Sequence, residues 1–158
     1  MLMRMFEGFS DSAKVAIYAA HAESRRLGAP AAGSEHLLLG IVTTAPGRPA
    51  TVFAGTRVTP AEIEPLIAIV GPALPERSPI RWSRSGARVL EMALRERLAL
   101  GDRLTEVEHV ALAVTNVDAE GSFQIMRQLG SSLAELRTGL LRSLGHAGTD
   151  LGPAWPDR

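Results

Sequence analysis

"GSEHLLLG", residues 33–40, returns 73 positions later as "EVEHVALA", residues 106–113. Each stretch sets an acidic residue and a histidine at the head of an apolar run. Laying the chain on itself with that offset superposes residues 10–71 on 83–144 without insertion. Identical pairs include Ser10/Ser83, Ser12/Ser85, Ala20/Ala93, Glu23/Glu96, Leu27/Leu100, Gly28/Gly101, Glu35/Glu108, His36/His109 and Glu62/Glu135. They fall on caps, helix ends and the acidic-histidine pair, as an internal duplication requires.

Each copy reads as helices. Ser10 and Ser83 are suited to cap a first helix, and Gly28 and Gly101 to stop it. Apolar residues at helical spacing, Ile17, Ala20 and Leu27 against Leu90, Ala93 and Leu100, give that helix a buried face. A short second helix follows from Ser34, with its counterpart around Val110–Val114. A third element is weak over "RPATVFAG" and clearer over "GSFQIMRQLG". "TPAE" and "SLAE" are two capping boxes at matched positions and start a fourth helix. A four-helix unit of this size buries too little surface alone, so two copies are expected to share one core. The predicted fold is all-α: two tandem four-helix repeats packed as a pseudo-twofold eight-helix domain over residues 5–146. Repeat 1 covers about 10–71, a proline-rich linker 72–82 and repeat 2 about 83–144. Residues 147–158 lack periodicity and read as a flexible tail.

Composition agrees and excludes several functions. Of 158 residues, 46% are hydrophobic but only 4% aromatic, a mix that favours helices. Seventeen basic residues balance seventeen acidic ones, so nothing attracts nucleic acid or anionic lipid in general. With no cysteine, disulfides and thiolate metal sites are excluded. The histidines and carboxylates lack metal-ligand spacing, and no serine sits in a nucleophile elbow. No apolar run reaches the roughly 20 residues a membrane span needs. The expectation is a cytoplasmic protein without cofactor or metal, and not an enzyme.

The stretch Met5-Phe6-Glu7, Phe9, Ser10, Ala13, then Leu27-Gly28 and Gly33-Ser34-Glu35-His36-Leu37-Leu38-Leu39-Gly40 resembles the amino-terminal repeat domain of Clp-type AAA+ unfoldases, particularly the ClpC-like kind. The resemblance spans roughly residues 5–144. Its second copy has drifted, with Glu106-Val107 before the acidic-histidine pair and Ala113 after Leu112. The chain holds no Gly-x-x-x-x-Gly-Lys phosphate loop, and its single lysine, Lys14, lies in the first helix. It therefore reads as a stand-alone version of the domain without the ATPase modules. The resemblance implies a non-catalytic module of protein quality control that receives peptide segments, phosphoarginine-bearing proteins or adaptors, with a Clp ATPase as a further partner.

From the residues alone, His36 and His109 fit a structural role, buried between helices with one nitrogen satisfied. The resemblance implies a sharper role for the acids. The carboxylate would hold a guanidinium, while hydroxyls and amides at helix starts would hold phosphate. On this reading Glu35 with Ser10 and Ser34 makes one site, and Glu108 with Ser83 makes another. In the second, Val107 lacks a hydroxyl and Thr105 with Glu108 matches a capping box, which would occupy the acid in a helix start. The resemblance also implies that adaptors or cyclic peptide antibiotics meet an exposed aromatic surface, for which Phe6, Phe9 and Trp82 are candidates, with Phe9 and Trp82 as equivalent core plugs the alternative. That surface supports an alternative function, a sequestering protein that spares a full-length Clp ATPase.

Overall fold

A computed structural model describes residues 6–44, 52–68, 71–79 and 81–146. The tail expected over 147–158 lies outside these residues. The first half contains α1 (Asp11–Arg26), α2 (Ser34–Thr44) and the one-turn α3 (Pro60–Ile63), which runs into a 3-10 turn at Glu64–Leu66. The second half contains α4 (Arg84–Leu100), α5 (Val107–Val114), a 3-10 turn at Val117–Ala119, α6 (Gly121–Gln128) and α7 (Leu133–Ser143). Starts at 11, 34 and 60 match starts at 84, 107 and 133, each 73 positions later. The third element expected near 48–55 falls largely outside the described residues, but Val52 and Phe53 there are helical.

Local chemistry fixes the matched ends. Ser10 and Ser83 accept the amides of Ala13 and Gly86, and Thr59 and Ser132 accept those of Glu62 and Glu135. Gly28 and Gly101 leave their helices with φ of 74° and 72°, where a side chain would strain the backbone. In each half an ion pair ties the first helix to the fourth element with opposite polarity. Arg26 meets Glu64 in one, and Glu96 meets Arg137 through two hydrogen bonds in the other.

Two short parallel bridges show how the halves join. Phe9 pairs with Thr105, and Ala32 pairs with Trp82. Adding 73 to Phe9 gives Trp82, and subtracting 73 from Thr105 gives Ala32, so the bridges are one contact made twice about a pseudo-twofold axis. Each half's leading strand-like segment reaches into the other half, just ahead of its second helix. Helix contacts follow the same exchange, with α1 against α5 and α4 against α2. Gly86 makes one crossing feasible, because a Cβ there would collide with the carbonyl oxygen of Ala32.

α2 and α5 lie at the centre. Leu37, Leu38, Leu39 and Ile41 are buried, and all eight residues of α5 are buried. Their consecutive apolar residues reflect helices covered on every side rather than on one face. Packed around them, Ile17, Ala20, Ile63, Val89, Met92, Ala93, Met126 and Leu140 complete one core shared by both halves.

Candidate functional site

The repeated histidine completes a helix start. His36 Nδ1 accepts the backbone N–H of Gly33 at 2.9 Å, and His109 Nδ1 accepts that of Glu106 at 2.8 Å. In each, the imidazole stands three residues into the helix and reaches back to the cap amide, as glutamate does in a capping box. The N-cap of α2 is therefore Gly33, and Ser34 is the first residue of the helix. At α5 the cap is Glu106 with His109, and the expected Thr105 with Glu108 box does not form. His109 takes the Glu106 amide, which sets the cap one residue past Thr105. Both rings use Nδ1 as acceptor, which leaves the proton on Nε2.

The two halves then treat that Nε2 proton differently. His109 Nε2 meets Asp102 at 2.8 Å, and the other Asp102 oxygen meets His146 Nε2 at 2.8 Å. Desolvation raises the Asp102 pKa, but the hydrogen bonds of His146 and His109 outweigh it and hold the carboxyl below its ordinary value. In the first half the position matched to Asp102 is Ala29, and the position matched to His146 is Ala73. His36 is 3% exposed, and its Nε2 has no partner among the described residues. Burial pushes its pKa down, against the pull of Glu35 and Glu23, and keeps the ring neutral.

The acids diverge in the same way. Glu108 is 1% exposed and accepts a hydrogen bond from the hydroxyl of Ser143 at the end of α7. The Glu35 side chain is 27% exposed, and no arginine or lysine pairs with it among the described residues. The cause lies in the fourth helix. α7 runs on to Ser143, whereas α3 ends after one turn. Pro65, matched to Thr138, supplies no N–H for a continuing helix, and the chain is extended by Ile67. What α7 covers in the second half is thus an open cleft of about 490 Å³ in the first. Leu66, Ile67, Ile125 and Ala29 give it apolar walls, and Glu35 and His36 supply its polar end.

The exchange across the axis re-partners the expected serines. Ser83 lines the Glu35 cleft, because Trp82 pairs with Ala32 and carries Ser83 there. Ser10 sits instead beside Thr105, whose carbonyl accepts its amide, on the Glu108 side. The expected grouping of Ser10 with Glu35 and of Ser83 with Glu108 is corrected accordingly. Ser34 is fully buried, and its hydroxyl accepts the amide of Ser122 in the first turn of α6. Its hydroxyl is thus engaged inside the fold.

The aromatic residues also move inward. Phe6 is 2% exposed and packs edge-on against Phe9 and Trp82, with centroids 5.6 and 6.4 Å away. Trp82 lies 4.0 Å from the ring of His21, and both Phe9 and Trp82 are partly buried against the core. The expected exposed aromatic surface is replaced by a plug at the seam, since residues 9 and 82 are the bridging positions. His21 is buried there, and its pKa falls to about 4 through desolvation, with Arg25 and His36 adding repulsion. Asp102, Ser143, His146 and Pro65 escaped sequence reasoning. Their signal was present as mismatches in the repeat, at 29, 70, 73 and 138.

This duplicated helical body with a polar cleft end defines a class. The model of the Clp repeat (R) N-terminal domain matches residues 8–129, and the chain belongs to that family. Among curated relatives, a Guillardia theta ATP-dependent Clp protease ATP-binding subunit ClpA homolog is 30% identical over 145 residues, covering 89% of this chain and 18% of the relative. A chloroplastic ClpA homolog CD4B of Solanum lycopersicum is 28% identical, covering 94% of this chain and 16% of the relative. The Bacillus subtilis negative regulator of genetic competence ClpC/MecB is 26% identical, covering 89% and 18%. The chain thus spans less than one fifth of the length of these relatives. In fold it is similar to the N-terminal domain of the chaperone ClpD from Arabidopsis thaliana, with TM-score 0.74 and 22% identity over 89% of this chain and 96% of that one. The Hsp104 N-terminal domain from Candida albicans gives TM-score 0.71 at 19% identity, over 87% and 92%. Among the described residues no helix is long and apolar enough to cross a membrane, and no group of three potential ligands could hold a metal ion.

Proposed function

We propose that the chain is a non-catalytic module that receives peptide segments through the Glu35 cleft and serves a Clp-type chaperone or protease. The observation that carries this reading is the open cleft itself, with apolar walls and a carboxylate that no basic side chain among the described residues neutralises. Such a carboxylate attracts a cationic group and forms charge-assisted hydrogen bonds with it. The family resemblance suggests the guanidinium of a phosphoarginine-marked chain as that group, with the hydroxyl of Ser83 on the lining. Glu108 offers no comparable opening, being buried and bonded to Ser143, so the reading assigns reception to the first half. The relatives' names, ATP-binding subunits of Clp protease, suggest the machine served.

Isothermal titration of phosphoarginine and of arginine into the wild type and Glu35→Ala tests this reading. The expected result is heat with the wild type and its loss in the variant. Equal heats for both proteins would remove Glu35 from the site.

A further inference from the structure

We propose that the first-half cleft takes the free amino terminus of a polypeptide whose first side chain is apolar. This rests on the reading that the cleft receives peptides, and it names the end and the residue class received. Among the described residues the buried Nε2–H of His36 is a donor without an acceptor, at a cost the second half avoids through Asp102. A ligand that supplies an oxygen there relieves that cost. Glu35 Oε1 lies 3.3 Å from Nδ1 of the same ring. The carboxylate and the Nε2–H are therefore no more than about two hydrogen-bond lengths apart.

A ligand serving both must carry a cation and a neutral acceptor within one residue. The α-ammonium and carbonyl oxygen of an N-terminal residue meet that condition, whereas a lysine or internal arginine places its cation several methylenes from its own carbonyl. A second carboxylate would meet Glu35 unfavourably, so a neutral carbonyl is the better acceptor. Leu66, Ile67 and Ile125 then receive the first side chain, and Gln124 and Gln128 face the chain that follows. The volume of about 490 Å³ lies within the ordinary range of small-ligand sites and suits the end of a chain.

The second half shows the occupied state from its own sequence. Asp102 stands on His109 where the carbonyl would stand on His36, and Ser143 donates to Glu108 where the ammonium would donate to Glu35. Ala29→Asp should therefore fill the first cleft as Asp102 fills the second.

The test follows amide shifts by NMR during titration with leucyl-alanine amide, its N-acetyl derivative and N-acetylated phosphoarginine amide. The free amine is expected to bind, and acetylation to weaken it at least about tenfold, the weight of one charge-assisted hydrogen bond. Ala29→Asp should abolish binding while the melting temperature holds or rises. Glu35→Gln, at a partly exposed position, should lose at least about tenfold and serves if Ala29→Asp unfolds. Equal affinity for free and acetylated peptide, or binding untouched by Glu35→Gln, overturns the proposal. Binding of the phosphoarginine derivative alone also overturns it but leaves the receiving module standing. Silence of all three ligands removes both.

Discussion

The two halves carry the same acidic-histidine pair on the same helix start, and they put it to different ends. In the second, Asp102, itself held by His146, meets the imidazole Nε2, Ser143 donates to the carboxylate, and α7 covers the pair. In the first, Ala29 and the break at Pro65 leave His36 and Glu35 at the end of an open cleft. A duplicated motif therefore does not imply a duplicated site. The helix-capping bond is common to both copies, and the surroundings decide whether anything is left to bind.

The seam that relates the halves offers the largest test. Gly86→Ala drives a methyl into the Ala32 carbonyl and should cost about 3 kcal/mol or more in denaturant unfolding. The matched residue is already Ala13, fully buried, so Ala13→Gly should cost only about 1 kcal/mol. Equal costs would show that the two crossings are packed alike.

Acid should act on the first half through His21, whose matched residue is the exposed Leu94. Its pKa of about 4 in the fold lies below the ordinary 6.5. The unfolded chain thus binds the extra proton between those values. His21 contributes fully above pH 6.5, and the contribution is lost as pH falls towards 4, by up to about 3 kcal/mol. Thermal melts across that window should show the loss, and His21→Leu should flatten it.

The acids themselves give a smaller contrast. Glu108→Ala removes the acceptor of Ser143 in the interior and should cost about 2 kcal/mol. Glu35→Ala should stay within about 0.5 kcal/mol, since its carboxylate is partly exposed. Matching losses in urea melts would mean that the first acid is structural as well. Gly121→Ala is the mildest change. Its methyl would stand 2.7 Å from Glu35 Oε2, a flexible end that can move. Stability should hold within about 0.5 kcal/mol, while affinity for a cationic ligand falls several-fold.

Much of this was legible in the chain. The offset of 73, the caps at Ser10, Ser83, Thr59 and Ser132, and the glycines at 28 and 101 act within one helical turn, so their residues specify them directly. The buried role of both histidines followed from apolar neighbours on the same helix. Which serine stands beside which acid was not legible, because the bridges cross the axis and carry Ser83 to Glu35. Nor was the inward turn of Phe6, which depends on a pocket built from both halves.

The sequence by itself determined that there are two copies, where most helices begin and end, and which residues are apolar enough to form a common interior. Tertiary structure alone decided that one copy is open and the other closed. Capping and periodicity are short-range and repeat with the residues. Closure depends on Asp102, held by His146, reaching His109 and on Ser143 reaching Glu108 through space, and on Pro65 denying the first half the same cover.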